Sequence, residues 1–71
     1  MKFDFDIIKF SEELAMHRIV KKKIDLRSAS LESGVHFSTI SRIERGNLPD
    51  LLTLSRLCRW MQKHPNNYFK L

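Results

Sequence analysis

The sequence predicts an all-α domain of five helices, and three observations carry that expectation. Its 71 residues include only two glycines and two prolines, none before Gly34, so joints are few and brief and an all-β fold is disfavoured. Apolar residues recur at three- and four-residue steps, the period of a helix with one buried face. Residues that start or stop helices, Asp25, Gly34, Gly46 and Asp50, fall at the ends of those periodic segments.

Taken in order, Met1 to Phe5 alternates apolar and charged residues, the pattern of a short extended arm over residues 1–5. Residues 6–22 read as the first helix, with Ile7, Phe10, Leu14, Ala15 and Ile19 as its apolar stripe. Asp25 caps a second helix over 26–33, which Gly34 ends. A third helix spans 37–45 and stops at Gly46. Asp50 caps a fourth, whose Leu51, Leu54, Leu57, Cys58 and Met61 fall on one stripe. Pro65 suits the first position of a terminal helical turn carrying Tyr68 and Phe69.

This length leaves room for one domain, 1–71, with one modest core. A hydrophobic fraction of 42% argues against disorder. No run approaches the roughly 18 apolar residues needed to span a bilayer. The acidic residues in MKFDFDIIKF are foreign to a secretory leader. A lone Cys58 forms no disulfide within the chain, so a reducing cytoplasm is the expected setting. His17, His36 and His64 stand on separate elements, without metal-ligand spacing or a catalytic constellation, so neither a metal, a cofactor nor an enzyme is expected.

The net charge is +5, and its placement says more than its size. Residues 14–27 carry +4 and residues 51–71 another +4, while 1–13 and 28–50 are net acidic. Clustered base on a small domain suits an anionic partner, nucleic acid first. It equally suits solvated helix ends, where cations complement the dipole. Charge alone does not choose.

The segment GVHFSTISRIERG sharpens the choice. At about 100° per residue, Ile40 and Ile43 share one narrow arc of a helix over 37–45. Ser38, Ser41, Arg42 and Arg45 share the opposite arc, with Phe37 at its edge. Short hydroxyl side chains permit close approach, and flanking arginines form bidentate hydrogen bonds; such residues read base edges and phosphates in a major groove. A soluble surface helix is the competing reading. Gly34 suits the tight joint between two short helices, and Ala29 and Ser30 are small enough for close helix contact.

Residues 24–61, IDLRSASLESGVHFSTISRIERGNLPDLLTLSRLCRWM, closely resemble the Cro/repressor-type (xenobiotic-response-element) helix-turn-helix family. The likeness rests on the ESGV turn, on STISRIERG as recognition helix, and on GNLPDLLTLSRLCRW leading into the fourth helix. It implies a lambda-repressor-like fold with the helix-turn-helix at 26–45 and binding of double-stranded DNA, commonly as a homodimer. Such domains serve as repressors, activators or antitoxins in phage and bacterial genomes. By position it gives base contacts to Phe37, Ser38, Ser41 and Arg42, and phosphate contacts to Arg27, Thr39, Arg45 and Asn47. It also implies an ion pair between Arg18 and Glu44, given a joint before Ile24 one residue longer than usual.

The sequence departs from the family pattern at several positions. Leu26 stands where many relatives carry a phosphate-clamping glutamine, so Arg27 or the lysines Lys22 and Lys23 would take over that contact. His36 replaces a hydroxyl cap; it contacts a phosphate or is simply solvated, being a poor cap. Phe37 either touches a thymine methyl or packs on the flank. Gln62 replaces a glycine that commonly ends the fourth helix, so that end is expected to differ. Trp60, Tyr68 and Phe69 either close the core or form the homodimer contact that the resemblance places near this end. The expected function is a sequence-specific DNA-binding repressor of phage or mobile-element type. The competing reading is an antitoxin or other helix-turn-helix module acting through protein contacts.

Overall fold

The computed structural model describes residues 4–70. A short strand, β1 (Asp4–Phe5), leads into α1 (Ile7–Met16), which continues as a π-helical segment over His17–Lys22. Three further helices follow: α2 (Leu26–Ser33), α3 (Phe37–Glu44) and α4 (Leu51–Met61). A 3-10 turn (Pro65–Tyr68) then delivers β2 (Phe69–Lys70), which pairs antiparallel with β1 in the register Asp4 to Lys70 and Phe5 to Phe69. Among the described residues the chain is thus mainly helical, with four α-helices. The expected fifth helix is only a 3-10 turn; the helical content fits the expected all-α domain, to which one short ladder pairing Asp4–Phe5 with Phe69–Lys70 is added. The rest of the residue 1–5 arm lies outside the described residues. Among the described residues, no helix is long and apolar enough to cross a membrane.

Helix starts are set locally by side chains that accept otherwise orphaned backbone N–H groups. Asp6 accepts from Lys9 N at 3.0 Å, and Asp25 and Asp50 accept from Ser28 N and Thr53 N at 2.8 Å each. All three carboxyls are held below the usual range, Asp6 and Asp25 first by these backbone hydrogen bonds, Asp50 first by the Thr53 hydroxyl and then by the Thr53 N–H. His36 caps α3 through Nδ1, 3.1 Å from Ser38 N, although the sequence marks it as a poor cap. At the other end of α4, Gln62 takes the left-handed conformation (φ 58°) that glycine would favour. Lys63 N–H then donates to Cys58 O at 2.9 Å. The end expected to differ keeps the usual Schellman geometry despite its side chain.

Phe10 and Leu14 of α1, Ala29 of α2, Ile40 and Ile43 of α3, and Leu57 of α4 meet at the centre of the core, all essentially without solvent exposure. Tyr68 closes it from the C-terminal side. Its ring meets Phe10 edge-on at 4.9 Å, and its hydroxyl donates to Glu13 Oε1 at 2.6 Å. Burial beside that carboxylate pushes the phenol pKa up. Asp6 N–H donates to Tyr68 O at 2.6 Å, so the 3-10 turn is fastened to the start of α1.

Three stripe residues lie outside the core: half-buried Ala15, and the exposed Ile19 and Leu51. Ile19 is 53% exposed, because the buried line through Ile7, Phe10, Ser11 and Leu14 continues at Arg18 instead. On a helix, Arg18 lies only about 40° from Leu14 and Ile19 about 140°. The expected longer joint before Ile24 is absorbed by the widened turn. Ile24 N–H reaches back six residues to Arg18 O at 3.0 Å, and Lys23 adopts a left-handed backbone with φ 56°. Leu51, at the first position of α4, is 81% exposed, while Leu54, Leu57, Cys58 and Met61 are buried.

Candidate nucleic-acid interface

Helix α2 ends at Gly34, whose φ of 77° lies in the left-handed region. A Cβ there would meet nothing within 4 Å, so backbone conformation, not space, calls for glycine. The joint is tied down on several sides: Gly34 N–H donates to Ser30 O at 2.9 Å and Val35 N–H to Ser33 Oγ at 3.2 Å. Arg56 Nη1 reaches Gly34 O from α4 at 3.4 Å. Ala29 is buried in the core and Ser30 is half-buried.

Helix α3 enters the core through Ile40 and Ile43, with Val35 buried just before it. Its outward side carries Ser38, Arg42 and Arg45, all exposed, flanked by half-buried Thr39, Ser41 and Phe37. Neither Arg42 nor Arg45 pairs with a carboxylate among the described residues. Thr39, Arg42, Asn47 and Thr53 line a shallow cleft between α3 and the start of α4. Asn47 finishes α3: its backbone N–H and its side-chain Nδ2 each reach Arg42 O at 3.0 Å. Gly46, at φ 101°, supplies the left-handed turn between them.

The inner side of α3 is pinned by Arg18. Its Nε and Nη2 donate to the two oxygens of Glu44 at 2.7 and 2.9 Å, and its Nη1 donates to Ile24 O at 3.1 Å. Both side chains are mostly buried, and the bond to Glu44 raises the guanidinium pKa. One arginine thereby ties the end of α1 to the joint before α2 and to the last turn of α3.

At the N-terminal tip of α3, the His36 ring stacks on Phe37 with centroids 4.3 Å apart. The guanidinium of Arg27 lies 5.0 Å from the centre of the Phe37 ring. Phe37 therefore packs against both neighbours while remaining partly open. Lys22 and Lys23 have different surroundings. Lys22 Nζ pairs with Glu32 at 2.9 Å, and Glu32 also accepts from the Trp60 indole at 3.0 Å. Those two hydrogen bonds, Lys22 first, lower the Glu32 pKa. Lys23 is exposed.

The aromatic residues expected at a subunit contact separate likewise. Tyr68 is fully buried, which corrects its placement in a contact surface. The half-buried Trp60 is held by Glu32 and by His17, whose ring meets it edge-on at 4.6 Å. Phe69 remains exposed, beside a groove formed with Phe5, Leu48, Pro49, Leu51 and Leu54. The His36 cap, the Arg56 contact to the turn and the Lys22–Glu32–Trp60 chain are not evident in the sequence. The last two join residues distant in sequence, so no local spacing announces them.

A family model described as helix-turn-helix matches residues 14–65, most of the chain. The chain belongs to that family. It is a DNA-binding domain of the Cro/repressor type, a regulatory family and not an enzyme family. No curated protein and no solved structure gives a significant match. In this helix-turn-helix domain α2 and α3 are the paired helices, Gly34 lies at their turn, and the outward side of α3 is open to solvent.

Proposed function

We propose that this domain is a sequence-specific regulator of transcription, a repressor of the phage or mobile-element kind working in the cytoplasm, that inserts α3 into the major groove of double-stranded DNA. The observation that carries the proposal is the outward side of α3, where short hydroxyl side chains stand beside two arginines that have no ion pair among the described residues. Base contacts come from Phe37, Ser38, Ser41 and Arg42. Phosphate contacts come from Arg27, Thr39, Arg45, Lys23 and the outer nitrogen of His36, all in reach of solvent. Lys22 and Asn47 join them while also holding Glu32 and the end of α3.

In the proposed homodimer, the contact moves from Tyr68 to the apolar groove beside Phe69, where Leu48 and Leu51 are largely exposed. The groove adjoins the C-terminal end of α3, because Leu48 and Pro49 line both it and the cleft beside Arg42. A two-fold axis there sets inverted half-sites about one helical turn, roughly 34 Å, apart.

Selection of duplexes from a randomised pool tests the reading. The expected result is an inverted repeat whose affinity falls steeply with salt, because bound lysines and arginines displace counterions. Failure to enrich any sequence would overturn it. One observation favours an antitoxin or protein-binding module instead: Met16, Ile19 and Val20 expose apolar surface at the end of α1. That reading gains if the pool yields nothing.

A further inference from the structure

The tip of α3 holds a hydrogen-bond arrangement with a fixed direction. Ser38 N lies 3.1 Å from His36 Nδ1, and a backbone N–H can only donate. Nδ1 must therefore be the ring's unprotonated nitrogen, and in the neutral imidazole the proton sits on Nε2. The Ser38 hydroxyl oxygen is 2.8 Å from the same Nδ1. Facing a nitrogen without a proton, the hydroxyl must also donate. A serine hydroxyl has one proton and two lone pairs, so Ser38 has no proton left for an outside partner. What it offers to solvent is an acceptor. The stack on Phe37 restrains the His36 ring, and Arg27 lies against Phe37 in turn.

Resting on the reading of α3 as the helix that enters the groove, we propose that His36 is a positioning residue that sets the polarity of the first base contact. By consuming the Ser38 proton, it makes Ser38 an acceptor that selects a base presenting an amine in the major groove. Adenine N6 and cytosine N4 are such donors, whereas guanine O6 and N7 and thymine O4 are acceptors. A serine without this neighbour could rotate its proton to suit either kind. His36 thus turns a permissive reader into a selective one, while Nε2–H faces outward as a donor suited to a phosphate oxygen.

The test measures affinities of the wild type, Ser38→Ala and His36→Gly for a selected duplex and its single-base variants. Glycine is well tolerated at a cap position, so His36→Gly keeps the helix start and folds. The position whose preference changes in Ser38→Ala is the base read by Ser38. There the wild type should favour adenine or cytosine over guanine and thymine by about tenfold, the worth of one hydrogen bond. His36→Gly should reduce that discrimination to about twofold or reverse it. Deleting the base's exocyclic amine should weaken the wild type and leave Ser38→Ala unaffected.

The inference is overturned by a selected duplex on which Ser38→Ala changes no preference. It is also overturned if guanine or thymine is preferred at that position, or if His36→Gly keeps full discrimination. A pool that yields no duplex overturns the DNA reading itself, and this inference with it.

Discussion

At the C-terminal end, Tyr68 donates to Glu13 at 2.6 Å and Trp60 donates to Glu32 at 3.0 Å, while Arg42 on α3 and Arg45 at its end extend into solvent without carboxylate partners among the described residues. Both regions are rich in side chains that commonly serve interfaces. The first spends them on its own fold, and the second leaves them open. The difference follows from what lies beneath. Tyr68 has the α1 face to fill and a carboxylate within reach, whereas α3 meets the core through Ile40 and Ile43 and uses only Glu44 to bind Arg18. Residue type alone therefore does not mark an interface; an unused hydrogen-bonding capacity does.

The largest expected effect lies on the closed side of that contrast. Arg18→Ala leaves Glu44 mostly buried without its partner and should cost about 3–5 kcal/mol of stability, read from the midpoint of urea unfolding. A cost near that of an exposed pair, under about 1 kcal/mol, would show that the junction is not what holds α3. On the open side, Arg42→Ala should leave the unfolding free energy in urea within about 0.5 kcal/mol of the wild type, because its exposed side chain makes no ion pair or hydrogen bond among the described residues, and the carbonyl that Asn47 uses is kept. Its cost of about 1–3 kcal/mol should appear only on duplex binding. Equal destabilisation by the two substitutions would erase the comparison.

A smaller effect separates two helix ends with similar backbones. Gln62→Gly should stabilise the domain by roughly 1 kcal/mol by relieving a left-handed residue that carries a Cβ. Gly34→Ala should destabilise it by about 1–2 kcal/mol. Thermal melts of the pair should move in opposite directions. The smallest effect concerns His17, whose pKa is pushed below its ordinary 6.5 by burial and then by Lys21 and Lys22. A depressed histidine pKa means that the fold favours the neutral ring. Its contribution is therefore present above the unfolded value and fades as pH falls through the folded one. The melting temperature should fall between about pH 7 and pH 5 more in the wild type than in His17→Phe. Parallel curves would show that the Trp60 contact is indifferent to the charge.

Much of this organisation is legible in the sequence because its causes are local. Asp25, Gly34, Gly46 and Asp50 mark the limits of α2, α3 and α4 by caps and turns acting within a few residues. The division of α3 into a side with Ile40 and Ile43 and a side with Ser38, Arg42 and Arg45 follows from helical spacing. What the sequence hides depends on distant partners or on backbone variation. Ile19 is exposed because Arg18, a polar residue, continues the buried line to reach a carboxylate 26 residues away. The pairing of Phe5 with Phe69 joins opposite ends of the chain through two-residue strands too short to show a period. His36 caps a helix through a ring nitrogen, a role its low standing among capping residues conceals.

Base discrimination tests the central claim, that the open side of α3 reads DNA, most directly. The wild type, Arg42→Ala and Arg59→Ala each lose or keep one exposed cation, so all three are titrated against a selected duplex and its single-base variants. Arg42→Ala should lose preference at one base position, while Arg59→Ala keeps every preference. Unchanged preferences in Arg42→Ala, or equal losses in both variants, would contradict that claim.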